Sequence, residues 1–206
     1  MIKNILEIDR QLFLFLNNIG SEKIDFFWLL LSNKLAIILF VTMITCFFCF
    51  QYDRRRAFAI CIFLIISVAL TDWLHVQLFK NIFIRLRPCW NTDVLDNMRP
   101  LLLDCGGKYG FISGHAANTA AIVSFLLFSM RNIDFKIKYL LITWVLLVSY
   151  SRIYLGKHYP MDVFFGILFG ILMGYLISKL FIIYTNKQEV LLLVKNMLLN
   201  EIFFLN

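Results

Sequence analysis

Charged residues are scarce in this sequence: they make up 16% of its 206 residues, against roughly 25% in an average soluble domain. Hydrophobic residues instead reach 61%, and the mean hydropathy is +0.78. A chain of this length has too few polar side chains to cover a water-soluble globule. The composition therefore excludes an ordinary soluble domain and indicates an integral membrane protein.

Three further features are missing. Of the five cysteines, Cys46, Cys49 and Cys61 lie inside apolar runs, where they are typical of small buried hydrophobes, so a cysteine-based metal cluster is not expected. The net charge of +7 is not gathered into a basic stripe with interleaved aromatics, which argues against a nucleic-acid partner. The amino-terminal stretch MIKNILEIDRQ carries acids and lacks a short apolar core before a cleavage site. A cleavable signal peptide is therefore not expected, and the spans themselves must direct insertion.

Long apolar runs are what the sequence does have. Five of them approach the ~20 residues needed to cross a bilayer: Leu35–Phe50, Ala57–Phe79, Ile112–Met130, Tyr139–Tyr154 and Val163–Tyr184. Residues 1–33 are apolar but interrupted by polar side chains, which predicts interfacial helices or a partial sixth span. Residues 188–206 have helical apolar spacing and predict an interfacial amphipathic tail. We expect a single all-α domain over 1–206, a polytopic transmembrane bundle of five to six spans.

Positive charge in short loops sets the orientation. The loops near 51–56 and 131–138 are rich in arginine and lysine, so both should face the cytoplasm. The remaining loops, about 80–111 and 155–162, then lie on the outer side, yet they are also basic. Their cations are Lys80, Arg85, Arg87, Arg99, Lys108, Arg152 and Lys157. Cations on the side that topology disfavours indicate a site for an anion.

Three clusters of chemically active residues fall on this outer side. They are KNIFIRLRP with Lys80, Arg87 and Pro88, then Ser113-Gly114-His115, and SRIYLGKHYPMD with Ser151, Arg152, His158 and Asp162. Arginine and lysine suit a phosphate, and a serine and glycine at a helix start leave backbone amides for an anion. Taken singly, each cluster has a plainer interpretation as a snorkelling collar, an interhelical contact or a helix cap.

Together the clusters favour phosphoryl transfer. An aspartate four residues after His158 can orient its imidazole and leave the other nitrogen free to attack. His115 is then available as the general acid for the departing oxygen. The sequence predicts a phosphohistidine intermediate without a metal or other cofactor.

These residues resemble the signature of the type 2 phosphatidic acid phosphatase superfamily, K-x6-RP, PSGH and SR-x5-H-x3-D, over residues 57–180. Ile112 replaces the family proline. The resemblance implies a helical bundle with His158 as nucleophile, Asp162 as its partner and His115 as acid. Phosphate would be held by Lys80, Arg87, Ser113, Gly114 and Arg152. The apolar spans argue against the soluble vanadium haloperoxidase branch.

The motifs identify the phosphate and leave the lipid open. We expect a lipid phosphate or diphosphate at the periplasmic or exterior face of a bacterial-type inner membrane. Undecaprenyl diphosphate ranks first, then lipid A phosphates, then phosphatidylglycerophosphate or phosphatidic acid. A non-enzymatic membrane protein that binds lipid headgroups is the alternative of another class. Oligomeric state, and hydrolysis versus phosphotransfer, are not determined by these patterns.

Four other residues bear on the outer face. Cys89 and Cys105 lie in the long outer loop, where an oxidising environment favours a disulfide over free thiols. Its loop of about 16 residues would contribute roughly 3 kcal/mol to stability in the chain-entropy model. Asp72 and His75 lie near the outer end of the second span, where ionisable groups are candidates for function. Mutual pairing explains them equally well, and they stay outside the predicted site.

Overall fold

The computed structural model of the protein describes residues 2–99, 101, 105–130 and 132–204, with no side-chain description for Ile2, Glu189 and 192–204. Within these residues the regular elements are helices, and the one β contact is a bridge between Leu86 and Tyr109. The helices are α1 (Ile2–Asn18), α2 (Glu22–Ser32), α3 (Lys34–Cys49), α4 (Arg54–His75), α5 (Asn81–Phe83), α6 (Thr92–Leu95), α7 (Gly114–Ser129), α8 (Phe135–Tyr154) and α9 (Pro160–Phe204). A π-helical turn, Val76–Lys80, joins α4 to α5, and a 3-10 turn covers Pro88–Trp90. The predicted all-α membrane bundle is confirmed.

Fewer helices reach membrane-spanning length than the sequence suggested. Three are long and apolar enough in the described chain, namely Arg54–Phe83, Phe135–Tyr154 and Pro160–Gln188. A fourth candidate is the pair α2 and α3, which passes only as one span bent by 60°. The 16-residue α7 is shorter, about 24 Å against the ~30 Å hydrocarbon core. The expected total of five to six spans therefore stays a prediction that depends on α7 and the amino-terminal helices.

The bend between α2 and α3 has a local cause. Asn33 adopts an extended conformation, and its side-chain oxygen accepts hydrogen bonds from the backbone N–H groups of Leu35 and Ala36. This is helix N-capping, so the chain starts a new helix at Lys34 instead of continuing α2. Residues 1–33 thus form a separate α1 and an α2 that is coupled to α3. The bend also brings Ser32, the last residue of α2, to the end of the bundle where His115 and Arg152 lie.

The closest helix pair is α7 on α9. A Cβ atom at Gly170 would clash with the carbonyl oxygen of Ala117, and one at Gly174 would clash with that of Ala121. Glycine at these positions lets the two backbones approach closely, and the four-residue spacing of Gly166, Gly170 and Gly174 is typical of such helix pairs. The pairing fixes the start of α7 beside the start of α9, where two of the predicted motifs lie.

The last helix extends further than expected. Residues 188–204 are helical, as predicted, but they continue α9 without a break to Phe204. The helix continues past Tyr184 because neither glycine nor proline follows in the sequence, and the interfacial position expected for this tail stays a prediction. Whether this extension lies in the interface is a question about side chains outside the described residues.

Candidate active site

The amino terminus of α7 forms one wall of the site. Ser113 is buried, occupies the N-cap position in an extended conformation, and its backbone N–H donates to the carbonyl of Asp162 over 2.8 Å. Its hydroxyl has no hydrogen-bond partner among the described residues. A Cβ at Gly114 would lie 2.8 Å from His75 Nε2, so only glycine fits there. The first N–H groups of a helix lack intrahelical partners, which leaves this terminus suited to an anion.

His158 and Asp162 lie together where α9 begins. The His158 Nδ1 to Asp162 Oδ2 distance is 3.6 Å, an ion-pair distance that is longer than a hydrogen bond. The same Oδ2 accepts a hydrogen bond from the backbone N–H of Tyr159 at 3.0 Å. Asp162 is fully buried and His158 is 2% exposed. The carboxylate therefore lies next to the Nδ1 side of the imidazole, in the protein interior.

His158 is held in its neutral form. Burial lowers its pKa well below 6.5, and the nearby positive charges of Arg152, Arg87 and Lys80 lower it further. A hydrogen bond to the backbone of Gly110 opposes these effects but is the smallest of them. An unprotonated imidazole nitrogen is the form that can act as a nucleophile.

Behind Asp162 lies an ion-pair network that the sequence did not reveal. Arg85 donates from Nη1 to Asp162 Oδ1 at 2.7 Å and from Nη2 to Asp9 Oδ2 at 2.6 Å. The other Asp9 oxygen accepts from the backbone N–H of Met161 at 2.9 Å. The Arg85 guanidinium also lies 4.2 Å from the centre of the Tyr159 ring. Helix α1 is thereby tied to the residues that carry the histidine.

Asp9 is a buried carboxylate, with 3% of its surface exposed. Burial raises its pKa, and the hydrogen bond from Arg85 works in the opposite direction. Sequence reasoning counted Arg85 only among the outer-loop cations, because its partner lies 76 residues away. An aspartate within an apolar helix was the only signal available for Asp9.

Two arginines of the predicted phosphate site are oriented by neighbouring backbone and side chains. Arg87 donates from Nη1 to the Cys105 carbonyl at 2.7 Å, beside the bridge that pairs Leu86 with Tyr109. Arg152 is 5% exposed and donates to the Ser32 hydroxyl. Because cations held by the fold need no reorganisation, they are suited to bind a phosphate.

His115 faces the α2–α3 bend. Its Nε2 lies 3.3 Å from the carbonyl oxygen of Ser32. The hydroxyl of the same serine accepts from Arg152, so the bend contacts two predicted site residues. Ser32 was not among the predicted site residues, and no local motif marks it.

The long loop region between α5 and α7 brings Cys89 and Cys105 together. Their sulfur atoms are in contact, and their Cα atoms are 6.0 Å apart, a separation that a disulfide spans. The disulfide stays a prediction until the thiols are tested. Either way, the Cys105 carbonyl that accepts from Arg87 lies at this crossing point.

One cavity of about 790 Å³ gathers the predicted residues. Those lining it are Lys80, Arg87, Gly114, His115, Arg152 and His158, while Ser113 and Asp162 lie buried next to it. Its other end is apolar, with Ile38, Val41, Val68 and Ile122 contributed by α3, α4 and α7. In the described ranges, no group of three histidine, cysteine or acidic side chains is placed to hold a metal ion.

Solved structures share the architecture. The crystal structure of Aquifex aeolicus LpxE matches with a TM-score of 0.59 and 23% identity, covering 82% of this chain and 93% of that one. The crystal structure of a PAP2-type phosphatidylglycerolphosphate phosphatase from Bacillus subtilis matches with a TM-score of 0.63 and 18% identity, covering 86% of each chain. At these identities the similarity shows the fold alone.

Similarity in sequence is more specific. The lipid A 4'-phosphatase of Porphyromonas gingivalis is 35% identical over 183 residues, which cover 86% of this chain and 75% of that protein. The lipid A 4'-phosphatase of Bacteroides thetaiotaomicron is 28% identical over 167 residues, covering 81% and 73%. Residues 56–184 match the family described as the PAP2 superfamily, the type 2 phosphatidic acid phosphatases. The chain belongs to the PAP2 superfamily.

Proposed function

We propose that this protein is a lipid A phosphatase that removes the 4'-phosphate by hydrolysis at the outer face of the inner membrane. The broader class, a metal-independent lipid phosphatase, follows from the family and from the two relatives named lipid A 4'-phosphatase. The earlier ranking, which put undecaprenyl diphosphate first, is not supported by these relatives. The alternative, lipid A, agrees with them better.

The observation that carries the proposal is the composition of the cavity along its length. Lys80, Arg87 and Arg152 line it at the end where the histidines lie, and apolar side chains of α3, α4 and α7 line much of the rest. A lipid phosphate has the same division, with a charged group at one end and hydrocarbon at the other. A soluble phosphate ester would gain nothing from the apolar part.

The first half of the reaction forms a bond between His158 and phosphorus. The His158 Nδ1 faces Asp162 at 3.6 Å, so Nε2 is the attacking nitrogen. As the N–P bond forms, the ester P–O bond breaks, and His115 gives a proton to the departing sugar oxygen. The cations and the amide groups at the start of α7 stabilise the charge on the phosphoryl oxygens.

The second half restores the enzyme. His115, now unprotonated, takes a proton from a water molecule as its oxygen attacks the phosphohistidine. The N–P bond breaks, inorganic phosphate leaves, and His158 is again free. Asp162 stabilises the positive imidazole that the first half produces and the second half removes, and Arg85 keeps that carboxylate in place.

The outer-face location is supported by charge and topology. Arg54, Arg55 and Arg56 form the first turn of α4, directly after the short loop that follows α3, at the end of the bundle away from the cavity. Short loops rich in arginine stay on the cytoplasmic side, so the cavity opens at the other side.

A substrate panel tests the proposal. Purified enzyme in detergent micelles with EDTA would be given lipid A, undecaprenyl diphosphate, phosphatidylglycerophosphate and phosphatidic acid, and released phosphate would be measured. We expect the largest kcat/KM on lipid A, with mass spectrometry placing the loss at the 4' position. A larger kcat/KM on undecaprenyl diphosphate would contradict the lipid A assignment while leaving the phosphatase class intact.

A further inference from the structure

Polar side chains of α4 and α7 face each other inside the cavity, beside the phosphate end. Asp72 and His75 are one helical turn apart on α4, and Asn118 lies one turn after His115 on α7; all line the cavity. The Asn118 amide Nδ2 donates to Asp72 Oδ1 at 2.9 Å, which links the two helices. The mechanism proposed above uses none of these three residues.

Two of the three carry a buried acceptor without a donor among the described residues, and the third carries an exposed carboxylate. His75 Nδ1 lies 3.3 Å from the Thr71 carbonyl, which can only accept, so Nδ1 carries the proton and Nε2 is an acceptor. His75 Nε2 and Asn118 Oδ1 are buried and have no partner among the described residues. The Asp72 side chain is 62% exposed, which leaves its carboxylate free to accept further bonds. A buried acceptor without a donor costs free energy unless a ligand or water supplies one.

The position of this group along the cavity is informative. His75 lies beside Gly114, at the level of the phosphate site. Asp72 and Asn118 pair one turn, about 5.4 Å, further into the bundle. Val68 and Ile122 follow one turn beyond them and begin the apolar part. The acceptors therefore lie between the phosphate and the hydrocarbon chains of a bound lipid.

We propose that Asp72, His75 and Asn118 form an acceptor wall that binds hydroxyl or amide N–H donors on the headgroup next to the phosphate. The inference rests on the proposed function in taking the cavity as a lipid phosphate site. An amino-sugar headgroup carries such donors. The glycerol of phosphatidic acid is esterified at both other oxygens and carries none, and a polyprenyl chain places apolar carbon against a carboxylate. The wall thus selects donor-bearing lipid phosphates.

The test compares two substrates in the same variants. Asn118→Leu and Asp72→Leu each remove an acceptor with little change in volume, and they lie on different helices. For each variant, kcat/KM would be measured on lipid A and on phosphatidic acid. We expect the ratio of the two to fall roughly tenfold, as for a lost hydrogen bond to substrate. The matched control is Thr42→Val on α3, which also lines the cavity and should leave the ratio unchanged.

Equal losses on both substrates in both leucine variants would overturn the inference, since a structural role lowers all activities together. A ratio of kcat/KM on lipid A to kcat/KM on phosphatidic acid that stays at the wild-type value would overturn the inference as well. The proposed function is tested separately, by the activity of the wild-type enzyme. If that enzyme cleaves phosphatidylglycerophosphate but not lipid A, the proposed function fails. The acceptor wall is then tested by the ratio of kcat/KM on phosphatidylglycerophosphate, which has a free hydroxyl, to kcat/KM on phosphatidic acid. Wild-type activity only on donor-free lipids would overturn both.

Discussion

The two sides of the cavity are built differently. Behind His158, the protein satisfies its own polar groups: both oxygens of Asp162 and both oxygens of Asp9 accept hydrogen bonds. Arg85 joins the two carboxylates, so this side is a closed network. The four carboxylate oxygens of this network need no ligand to complete their hydrogen bonding, while His158 Nδ1 lies 3.6 Å from Asp162 without a hydrogen-bond partner among the described residues.

The side formed by α4 and α7 is left open. The Ser113 hydroxyl, His75 Nε2 and Asn118 Oδ1 are buried without partners among the described residues. Taken together, the two sides separate two tasks. The closed side fixes the nucleophile before substrate arrives, and the open side has hydrogen-bonding capacity that a substrate can fill. Variants on the closed side should therefore change kcat, and variants on the open side should change KM and selectivity.

The largest expected effect comes from removing the centre of the closed side. His158→Ala takes away the proposed nucleophile, and we expect kcat to fall by about 10⁴-fold or more. Acid-quenched wild-type enzyme should carry an acid-labile phosphoryl group during turnover, and the variant should carry none. Full activity of the variant, or an unchanged phosphoryl signal, would mean that another residue attacks phosphorus.

Asp9→Asn tests whether the network positions the nucleophile from a distance. The change removes a negative charge from Arg85 while keeping the shape of the side chain. Arg85 then holds Asp162 less firmly, so we expect kcat to fall by about 10- to 100-fold with little change in KM. Asp9→Glu should recover part of the loss because it restores the charge.

The matched control for Asp9 lies on the same helix. Glu7 is exposed and pairs with Arg10, so Glu7→Gln should change kcat by less than about twofold. If Asp9→Asn behaves like this control, or if it raises KM and leaves kcat unchanged, the network has no positioning role.

The sequence predicted the residues that meet at the cavity but not what holds them. His158 and Asp162 are four apart at a helix start, and Ser113 and Gly114 open an apolar helix, so local spacing was enough. The Asp9 to Arg85 pair joins positions 76 residues apart, with no pattern connecting them. Long-range side-chain pairing depends on how helices pack, which a single sequence does not report.

The α2–α3 bend gives the same lesson for the fold. Ser32 reaches Arg152, 120 residues away, only because Asn33 caps a new helix and turns the chain by 60°. Asparagine is a common N-cap, but it was one of several polar interruptions in residues 1–33. Hydropathy alone could not tell which of them ends a helix.

The pH dependence of activity gives a smaller effect on the closed side. Since burial and the neighbouring cations lower the pKa of His158 well below 6.5, its imidazole remains neutral as the pH falls through that value. The acidic limb of kcat/KM should therefore lie below pH 6.5. At pH 5.5 this preserves up to about tenfold more activity than an unperturbed histidine would allow. If the acidic limb instead lies at or above pH 6.5 for every substrate, the pKa of the His158 nucleophile is not lowered.

The smallest expected effect concerns the long loop between α5 and α7, which orients the cavity cation Arg87. The Cys105 carbonyl accepts from Arg87 Nη1 at 2.7 Å, and the Cα atoms of Cys89 and Cys105 are 6.0 Å apart. If a disulfide closes this loop, Cys105→Ser should raise KM a few-fold, leave kcat nearly unchanged and lower stability by at most about 3 kcal/mol. Cys46→Ser, at an exposed free cysteine, is the control and should change neither.

Thiol alkylation without reductant decides whether that bridge exists. We expect alkylation of Cys46, Cys49 and Cys61 in the unfolded protein, and protection of the two loop cysteines until a reductant is added. If both loop thiols react without reductant, the disulfide prediction is wrong. The loop would then hold Arg87 only through the backbone bridge between Leu86 and Tyr109. In that case, adding reductant should leave the KM of the wild-type enzyme unchanged. If the loop is bridged, reductant should raise the wild-type KM by the same factor as the substitution Cys105→Ser.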